Sequence, residues 1–360
     1  MVAPEHDEES PQAPPRRDAP RAPAAGQPRP PAMTDVARFV GVSHQTVSRV
    51  INNHPNVRPQ TRARVLAAMQ ELGYRPNTAA RTLATGRSRT LGVVTLPGTL
   101  YGPSSTLYAI EQAAWAADYQ VSVVRLRSVD QASVRQAVAR LVTQSIEGVI
   151  AITPLLVSGE ALSQVARTLP FVAVEGNPEG DLAIVSVDQE AGARRATQHL
   201  LAAGHATVWH VAGPHGWYEA AGRVAGWRRA LEDAGAKIPL TLTGDWTPSA
   251  GFEAGQILAR TSEATAIFVA NDQMALGVLR ALREHGRRVP GDVSVVGFDD
   301  IPEAGYFSPP LTTIRQDFAS VGRASLRSLI DQIESGKPSS TRVVIPPDLV
   351  VRDSTAPPPT

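Results

Sequence analysis

The 360-residue chain contains no cysteine. That excludes a disulfide framework, a thiolate nucleophile and any Cys-ligated zinc or iron–sulfur centre. No run reaches the roughly 18 apolar residues of a membrane-spanning helix. The first 30 residues lack the apolar core of a secretory signal. These absences lead us to expect a soluble cytoplasmic protein. No G-x-G-x-x-G follows a candidate strand, and the Gly336-Lys337 pair continues with Pro338, so nucleotide fingerprints are missing. No G-x-S-x-G nucleophile elbow is present either. Neither a metal nor a cofactor is expected. An excess of one charge sign is also lacking, since 35 basic residues meet 34 acidic ones for a net +1. Taken whole, that balance argues against a nucleic-acid partner. What is present is an apolar share of 42%, enough for large cores, in a length that suits two or three domains.

The charge is unevenly spread. Residues 1–32 hold nine of the 30 prolines and one Val, with no Ile, Leu, Phe, Trp or Tyr. Such a segment cannot bury enough apolar surface to offset its ordering entropy, so disorder is expected. Residues 33–90 carry nine Arg against Asp35 and Glu71, for +7, whereas residues 91–360 carry −5. A basic head on a mildly acidic body suggests a nucleic-acid-binding module. A solvated basic face on an ordinary domain is the plain alternative.

The basic segment has the punctuation of a helix-turn-helix. Thr34 is suited to cap a first helix, with Val36, Ala37 and Val40 as its apolar stripe and Gly41 as its stop. Ser43 caps a second helix reaching about Asn52, with Val47, Val50 and Ile51 inward. Gly41-Val42-Ser43 is the short turn between them. Pro59 opens a third helix to Leu72, with Val65, Leu66, Met69 and Leu72 expected inside and Gly73 ending it. The second helix presents His44, Gln45, Thr46, Ser48 and Arg49 at its polar end. Gln pairs bidentately with adenine and Arg with guanine in a major groove.

The strings Thr34-Asp35-Val36-Ala37, Gly41-Val42-Ser43, Thr46-Val47-Ser48-Arg49-Val50 with Asn52, and Leu72-Gly73-Tyr74-Arg75-Pro76-Asn77 resemble the LacI/GalR repressor family. The resemblance implies that His44, Gln45 and Arg49 read operator bases. It also identifies the segment from Asn77 to Ala84 as similar to the family's hinge helix. There Asn77 would be the cap, Leu83 the apolar wedge in a minor groove, and Ala80 and Ala84 its small neighbours. A segment of about two turns is too short to be stable alone.

From Leu91 onward, short apolar runs alternate with helical patterns. Candidate strands are Leu91–Thr95, Val121–Val124, Gly148–Ile152, Phe171–Val174, Ile184–Val187, Val208–Ala212, Ala266–Val269 and Val293–Gly297. Helices fit at Ser104–Ala117, Gln189–Ala203, Tyr218–Ala234 and Asp272–His285. This alternation predicts an α/β body with parallel sheets, and residues 91–350 are long enough for two lobes. Open α/β sheets bind ligands at the C-terminal ends of their strands. Glu175, Asn271-Asp272-Gln273 and Asp299-Asp300 stand there, and Gly244-Asp245-Trp246 adds an aromatic. Carboxylates and amides beside an indole face suit a sugar. The carboxylates could instead be a glycosidase pair, which needs two carboxyls flanking a bond. Asp272 at a helix start reads equally as a cap, Asp300 likewise as structural, and Trp227 in mid-helix reads as core rather than site.

This half resembles the same family, in its lactose-responsive branch, through Gly222-Arg223-Val224-Ala225-Gly226-Trp227, Gly244-Asp245-Trp246, Val269–Gly277, Ser294–Asp300 and Pro310–Phe318. The resemblance implies a two-lobed core like that of periplasmic binding proteins. It makes Arg223, Trp246, Asn271, Gln273, Asp299, Gln316 and Phe318 effector contacts, with Glu175, and with Leu100, Gly102 and Pro103 on the N-terminal lobe. Leu96 and Glu175 depart from that branch, which has a serine and an aspartate there. The expected domains are a tail at 1–32, a DNA-binding head at 33–76, a hinge at 77–90, the two-lobed core at 91–350 and a second disordered tail at 351–360. The last lacks a leucine heptad, so a homodimer is expected rather than a tetramer. The expected protein is therefore a non-enzymatic repressor, binding double-stranded operator DNA and a small sugar, with no membrane partner. A sugar-uptake binding protein, a glycoside-acting enzyme and a corepressor-dependent regulator of the purine-responsive kind are the competing readings.

Overall fold

The computed structural model describes residues 31–52, 54–75, 82, 86–96, 98, 100–128, 130–152, 165–176 and 181–359. It divides into two compact units, Met1–Gly86 and Arg87–Thr360. The proline-rich residues 1–30, and Asn77, Ala80, Leu83 and Ala84 of the expected hinge, lie outside the described residues.

The first unit packs three helices, α1 (Met33–Val40), α2 (His44–Ile51) and α3 (Pro59–Glu71). Their shared core is Val36, Ala37, Val40, Val47, Val50, Val65 and Ala68. Two details correct the sequence reading. The residue ahead of α1 is Ala32, whose backbone N–H donates to the Asp35 carboxylate at 2.8 Å; Thr34 is already inside the helix. Leu66 is 46% exposed, and Ala68 takes the buried place beside Val65, because α3 turns that pair inward. Gly41 ends α1 with φ of 74°, a left-handed conformation open to glycine at no steric cost.

The second unit contains two six-stranded sheets. The N-terminal lobe uses β1 (Thr90–Thr95), β2 (Gln120–Arg125), β3 (Gly148–Ile152), β4 (Phe171–Val174) and β5 (Ala183–Val187), with α4 (Tyr101–Ala116) and α5 (Gln131–Val142). The chain then crosses into the C-terminal lobe through α6 (Gln189–Ala202), β6 (Trp209–Ala212), α7 (Tyr218–Asp233), β7 (Leu242–Thr243), α8 (Pro248–Arg260), β8 (Ala266–Val269), α9 (Asp272–Glu284), β9 (Ser294–Asp299) and β10 (Thr312–Arg315). It returns with α10 (Phe318–Ser335) and β11 (Arg342–Ile345), then crosses again to β12 (Asp348–Val350). The sheet orders are β11-β5-β4-β3-β1-β2 and β12-β10-β9-β8-β6-β7. All pairings are parallel except β10 with β12.

Strands β3, β4, β5, β8 and β9 are buried along their whole lengths. Helices covering both faces of a parallel sheet require this, and it explains their continuous apolar runs. The short strands β7, β10, β11 and β12 went unread in the sequence, since two to four residues carry too little pattern. Helix α10 follows the C-terminal lobe in sequence yet packs in the N-terminal core, its Val321 and Leu329 beside Leu91 and Ile110.

The C-terminal segment requires a larger correction. Residues 351–359 are not a loose tail. Ser354 is fully buried; its hydroxyl donates to Val295 O at 2.6 Å and accepts from Thr312 N at 2.8 Å. Ala356 N donates to Ser294 Oγ at 3.0 Å, and Arg352 pairs with Asp300 at 2.6 Å. Composition misled because hydrogen bonds to the ends of β9 and β10, rather than apolar burial, anchor this segment. The head boundary also moves. Arg87 pairs with Glu147 at 2.8 Å and Arg89 stacks over Tyr119, so two of the nine arginines assigned to the basic segment belong to the body.

Candidate effector cleft and DNA-reading helix

Parallel strands send their C-terminal ends to one edge. Ile152 ends β3, Glu175 follows β4, Asn271 follows β8, Asp299 ends β9 and Gln316 follows β10. These residues line one cleft of about 530 Å³, open in part to solvent. All ten effector residues singled out from the sequence, Leu100, Pro103, Glu175, Arg223, Trp246, Asn271, Gln273, Asp299, Gln316 and Phe318, stand on its wall. Gly102 is there too, whereas Leu96 is buried in the N-terminal core and lines a separate recess with Leu100 and Pro103.

The cleft holds a connected polar network. The Arg223 guanidinium donates to Gln189 Oε1 at 2.9 Å and to the Ala270 carbonyl, and lies 3.5 Å from Asp299. It also lies 3.8 Å over the Phe298 ring centroid. Gln316 donates to Asp299 at 2.7 Å and accepts from Gln189 at 3.0 Å, which ties two of the lobe crossings together. Asn271 caps α9 by accepting from Met274 N at 2.9 Å, and donates to Trp246 O at 3.2 Å. One amide hydrogen and one lone pair of that side chain remain for other partners.

Burial pushes Asp299 up to about 6 despite Arg223, and Glu175 up to about 7. Glu219 is raised as well, by burial first and then by the charge of Glu175. Oε2 of Glu175, Oε2 of Glu219 and Nε1 of Trp246 are buried without a hydrogen-bond partner. Such groups are costly to leave unsatisfied, and natural proteins tolerate few of them. Backbone strain gathers at the same place. Glu175, Trp246, Asp299 and Asp300 all have positive φ (53°, 76°, 109° and 53°). Each such residue stores of order 1–3 kcal/mol and persists where the surroundings over-determine it. Gly213 makes room for the Trp246 indole, since a Cβ there would stand 2.2 Å from the ring.

Asp272, in contrast, is not on the wall. It is fully buried at the start of α9, accepting from Thr313 Oγ1 at 2.6 Å and Ile301 N at 2.9 Å. The cap is its neighbour Asn271. Asp300 is bridged by Arg315 and Arg352, both at 2.6 Å. Trp227 is fully buried. Sequence reading missed Tyr101, Gln189, Trp217 and Glu219 on the cleft wall. The strand-end rule, applied to the loop after β6, would have found Trp217, whereas Glu219 lies beyond that loop in the first turn of α7. Trp217 meets Trp246 edge to face at 5.7 Å.

In the first unit, Ser43 caps α2 by accepting from Thr46 N at 3.1 Å. His44, Gln45, Arg49 and Asn52 are exposed, whereas Thr46 and Ser48 are half-buried. The Thr46 hydroxyl bonds Ser43 at 2.9 Å, and Ser48 accepts from Asn52 at 3.4 Å. Arg64 donates to Val40 O at 2.7 Å, at the C-terminus of α1. Arg62 bonds Val50 O at 3.4 Å and His54 O at 2.7 Å, at the C-terminus of α2. Cations suit those ends, where carbonyls lack partners. Part of the basic charge thus holds the head together.

Residues 32–77 match the bacterial regulatory proteins of the lacI family, and residues 197–355 match the periplasmic binding protein-like domain. The chain is 37% identical to the lactose operon repressor of Escherichia coli (strain K12) over 334 residues, 92% of each chain. The chain belongs to the lacI family of bacterial regulatory proteins. It is also 35% identical to the HTH-type transcriptional regulator CelR of Thermobifida fusca, over 91% of this chain and 98% of that one. The crystal structure of the lac repressor dimer bound to operator and the anti-inducer ONPF matches with a TM-score of 0.81 and 34% identity, covering 91% of this chain and 100% of that one. As a member of this family, the chain is a DNA-binding transcriptional repressor regulated by a sugar or other small ligand. Among the described residues no helix is long and apolar enough to cross a membrane.

Proposed function

We propose that this repressor binds a pseudopalindromic operator as a homodimer in the cytoplasm, where the DNA is. A galactoside-like carbohydrate in the cleft then weakens DNA binding. What carries the reading is the chemistry of the cleft wall. Unpartnered carboxyl oxygens and an indole N–H stand beside aromatic faces in a space of about 530 Å³. A polyol satisfies such groups with its hydroxyls and covers the rings with its C–H face. The named specificity of the lactose operon repressor supports a galactoside. By linkage, operator DNA must weaken sugar binding by the factor with which sugar weakens DNA binding. The expected result is that lactose or methyl β-galactoside lowers operator affinity in a gel-shift titration, while a purine base leaves it alone. If no sugar in a panel changes operator affinity, the effector is of another class. Incubation with a chromogenic galactoside should give binding without turnover.

His44, Gln45 and Arg49 are the proposed base-reading residues of α2, with Thr46, Ser48 and Asn52 supporting them and Asn77, Ala80 and Leu83 keeping the hinge role that the family resemblance implies. Arg49→Ala is expected to weaken operator binding by about 1–3 kcal/mol and to relax specificity at one base pair. Equal loss on every DNA sequence would make Arg49 a phosphate contact instead.

Dimerisation is supported by the outer face of α4. Trp115 is 82% exposed and Tyr108 63%, two turns apart on one face. Large apolar groups clustered in the open mark interaction surfaces. Sedimentation equilibrium should return about twice the 38.2 kDa chain mass. A monomer at micromolar concentration would remove this part of the proposal.

A further inference from the structure

Glu175 and Glu219 reach the cleft from opposite lobes, one after β4 and the other in the first turn of α7. Both residues are at least nine-tenths buried, at 8% and 9% exposure, and each has one carboxyl oxygen without a partner. Their circumstances differ. Glu175 Oε1 accepts the Val187 backbone N–H at 2.7 Å, which favours a carboxylate. Among the described residues that line the cleft, the sole cation is Arg223. Its guanidinium is already engaged by Asp299, Gln189 and the Ala270 carbonyl. Two buried glutamates therefore share a cleft whose cation is committed elsewhere.

We propose that Glu219 stands protonated in the cleft and donates a hydrogen bond to an oxygen of a neutral sugar effector, which makes it a specificity-determining residue and makes effector affinity fall as pH rises. The proposal rests on the carbohydrate reading above. An ionised Glu219 could only accept. It would share the cleft with the Glu175 carboxylate, and a neutral ligand that displaces water from the cleft brings no charge to offset either group. Protonated, it supplies the donor that a ring or hydroxyl oxygen needs, while Glu175 stays an acceptor for a sugar hydroxyl.

The surrounding charges point the same way on balance. Arg223 and the backbone at the start of α7 favour ionisation of Glu219, whereas burial, Glu175 and Asp299 oppose it. Tyr218, beside both glutamates, is itself raised by burial and by Glu175, Asp188 and Glu219, with Arg342 opposing. The opposing influences prevail, and Glu219 is held well above the ordinary glutamate range, by burial first and then by Glu175.

The test is calorimetric titration of the full-length protein with methyl β-galactoside between pH 5.5 and 8.5. Affinity should fall with pH, by up to about tenfold per unit where the bound proton is lost. E219Q carries a permanent donor of similar shape, so its affinity should lose the slope and exceed that of the natural protein at pH 8. E175Q serves where E219Q does not fold; it removes the charge that helps hold the proton on Glu219, so the decline should begin at lower pH. A pH-independent affinity in the natural protein overturns the inference while leaving the carbohydrate reading intact. So does an affinity that rises with pH, because the proposal requires loss of the bound proton to weaken binding. Absence of galactoside binding at every pH overturns the carbohydrate reading, and this inference with it.

Discussion

Replacing Arg223 by Met is expected to destabilise the core unit by about 3–5 kcal/mol at pH 8 and to abolish its response to the effector. The figure is what breaking a buried, hydrogen-bonded charge pair typically costs, because the partner charge is left uncompensated. Arg223 and Asp299 have side-chain exposures of 5% and 7%, so little solvent screening is available. Removing the guanidinium also strips Gln189 and the Ala270 carbonyl of their donor. The loss should depend on pH, and its sign can be worked out. Asp299 has its pKa raised from the ordinary aspartate value to about 6, so its favourable contribution is complete below about pH 4 and fades as pH rises through 6. Arg223 is what limits that rise. Without it the pKa climbs further, and the carboxylate form becomes harder to reach. At pH 5 Asp299 is largely protonated with or without the arginine, so the variant should lose less there. Thermal unfolding at both pH values measures the difference. A destabilisation of equal size at pH 5 and pH 8 would show that Arg223 does not govern the charge of Asp299.

Trp227→Ala should cost a similar amount, about 3–5 kcal/mol, for a different reason. The indole is fully buried, and no larger side chain is so enclosed. It packs with Leu200, Val208, Leu231, Phe268 and Phe298 on one face of the C-terminal sheet. Its Nε1 donates to Val208 O at 2.8 Å. Truncation leaves a cavity and also an unpaired carbonyl. The neighbouring helices cannot close the gap. A Cβ on Gly226 would already stand 2.1 Å from the Glu190 carbonyl, so α6 and α7 touch through their backbones. For a unit of this size, melting should fall by about 10 °C or more. Trp227→Phe keeps most of the volume and loses the donor, so its loss should be smaller. A drop of only two or three degrees in the alanine variant would mean that the core repacks around the hole.

The two predictions differ in how readable their residues are. Trp227 sits at the inward period of α7, and a buried place follows from helical spacing alone. Arg223 lies one turn earlier on that helix, where periodicity by itself would give a charged residue no function. Its assignment came from family resemblance, and its partners Gln189, Ala270 and Asp299 lie 34, 47 and 76 positions away. No local pattern encodes such distances. Glu219 went unread for the same reason. An acid in the first turn of a helix has an adequate local explanation in the helix dipole.

Signals within a few residues were read well. Ser43 ahead of α2, Gly41 after α1 and Pro59 at the start of α3 act through hydrogen bonds or dihedral angles of their own neighbourhood, and the helices follow. The fully buried runs of β3, β4, β8 and β9 are equally direct. The segment after Val350 fails on the same principle. Its own composition offers nothing to bury, while its anchors Ser294, Val295 and Thr312 belong to strands more than 40 residues away.

Sequence by itself therefore determined that a basic three-helix head precedes an acidic two-lobed body, and which residue types stand at the strand ends. Tertiary structure decided which charges serve which purpose. It turned Arg62 and Arg64 onto helix carbonyls, drew Arg87 and Arg89 into the body, and committed Arg223 to Asp299. Charge composition is a property of the chain, but compensation of a charge depends on distance and burial, and these exist only after folding.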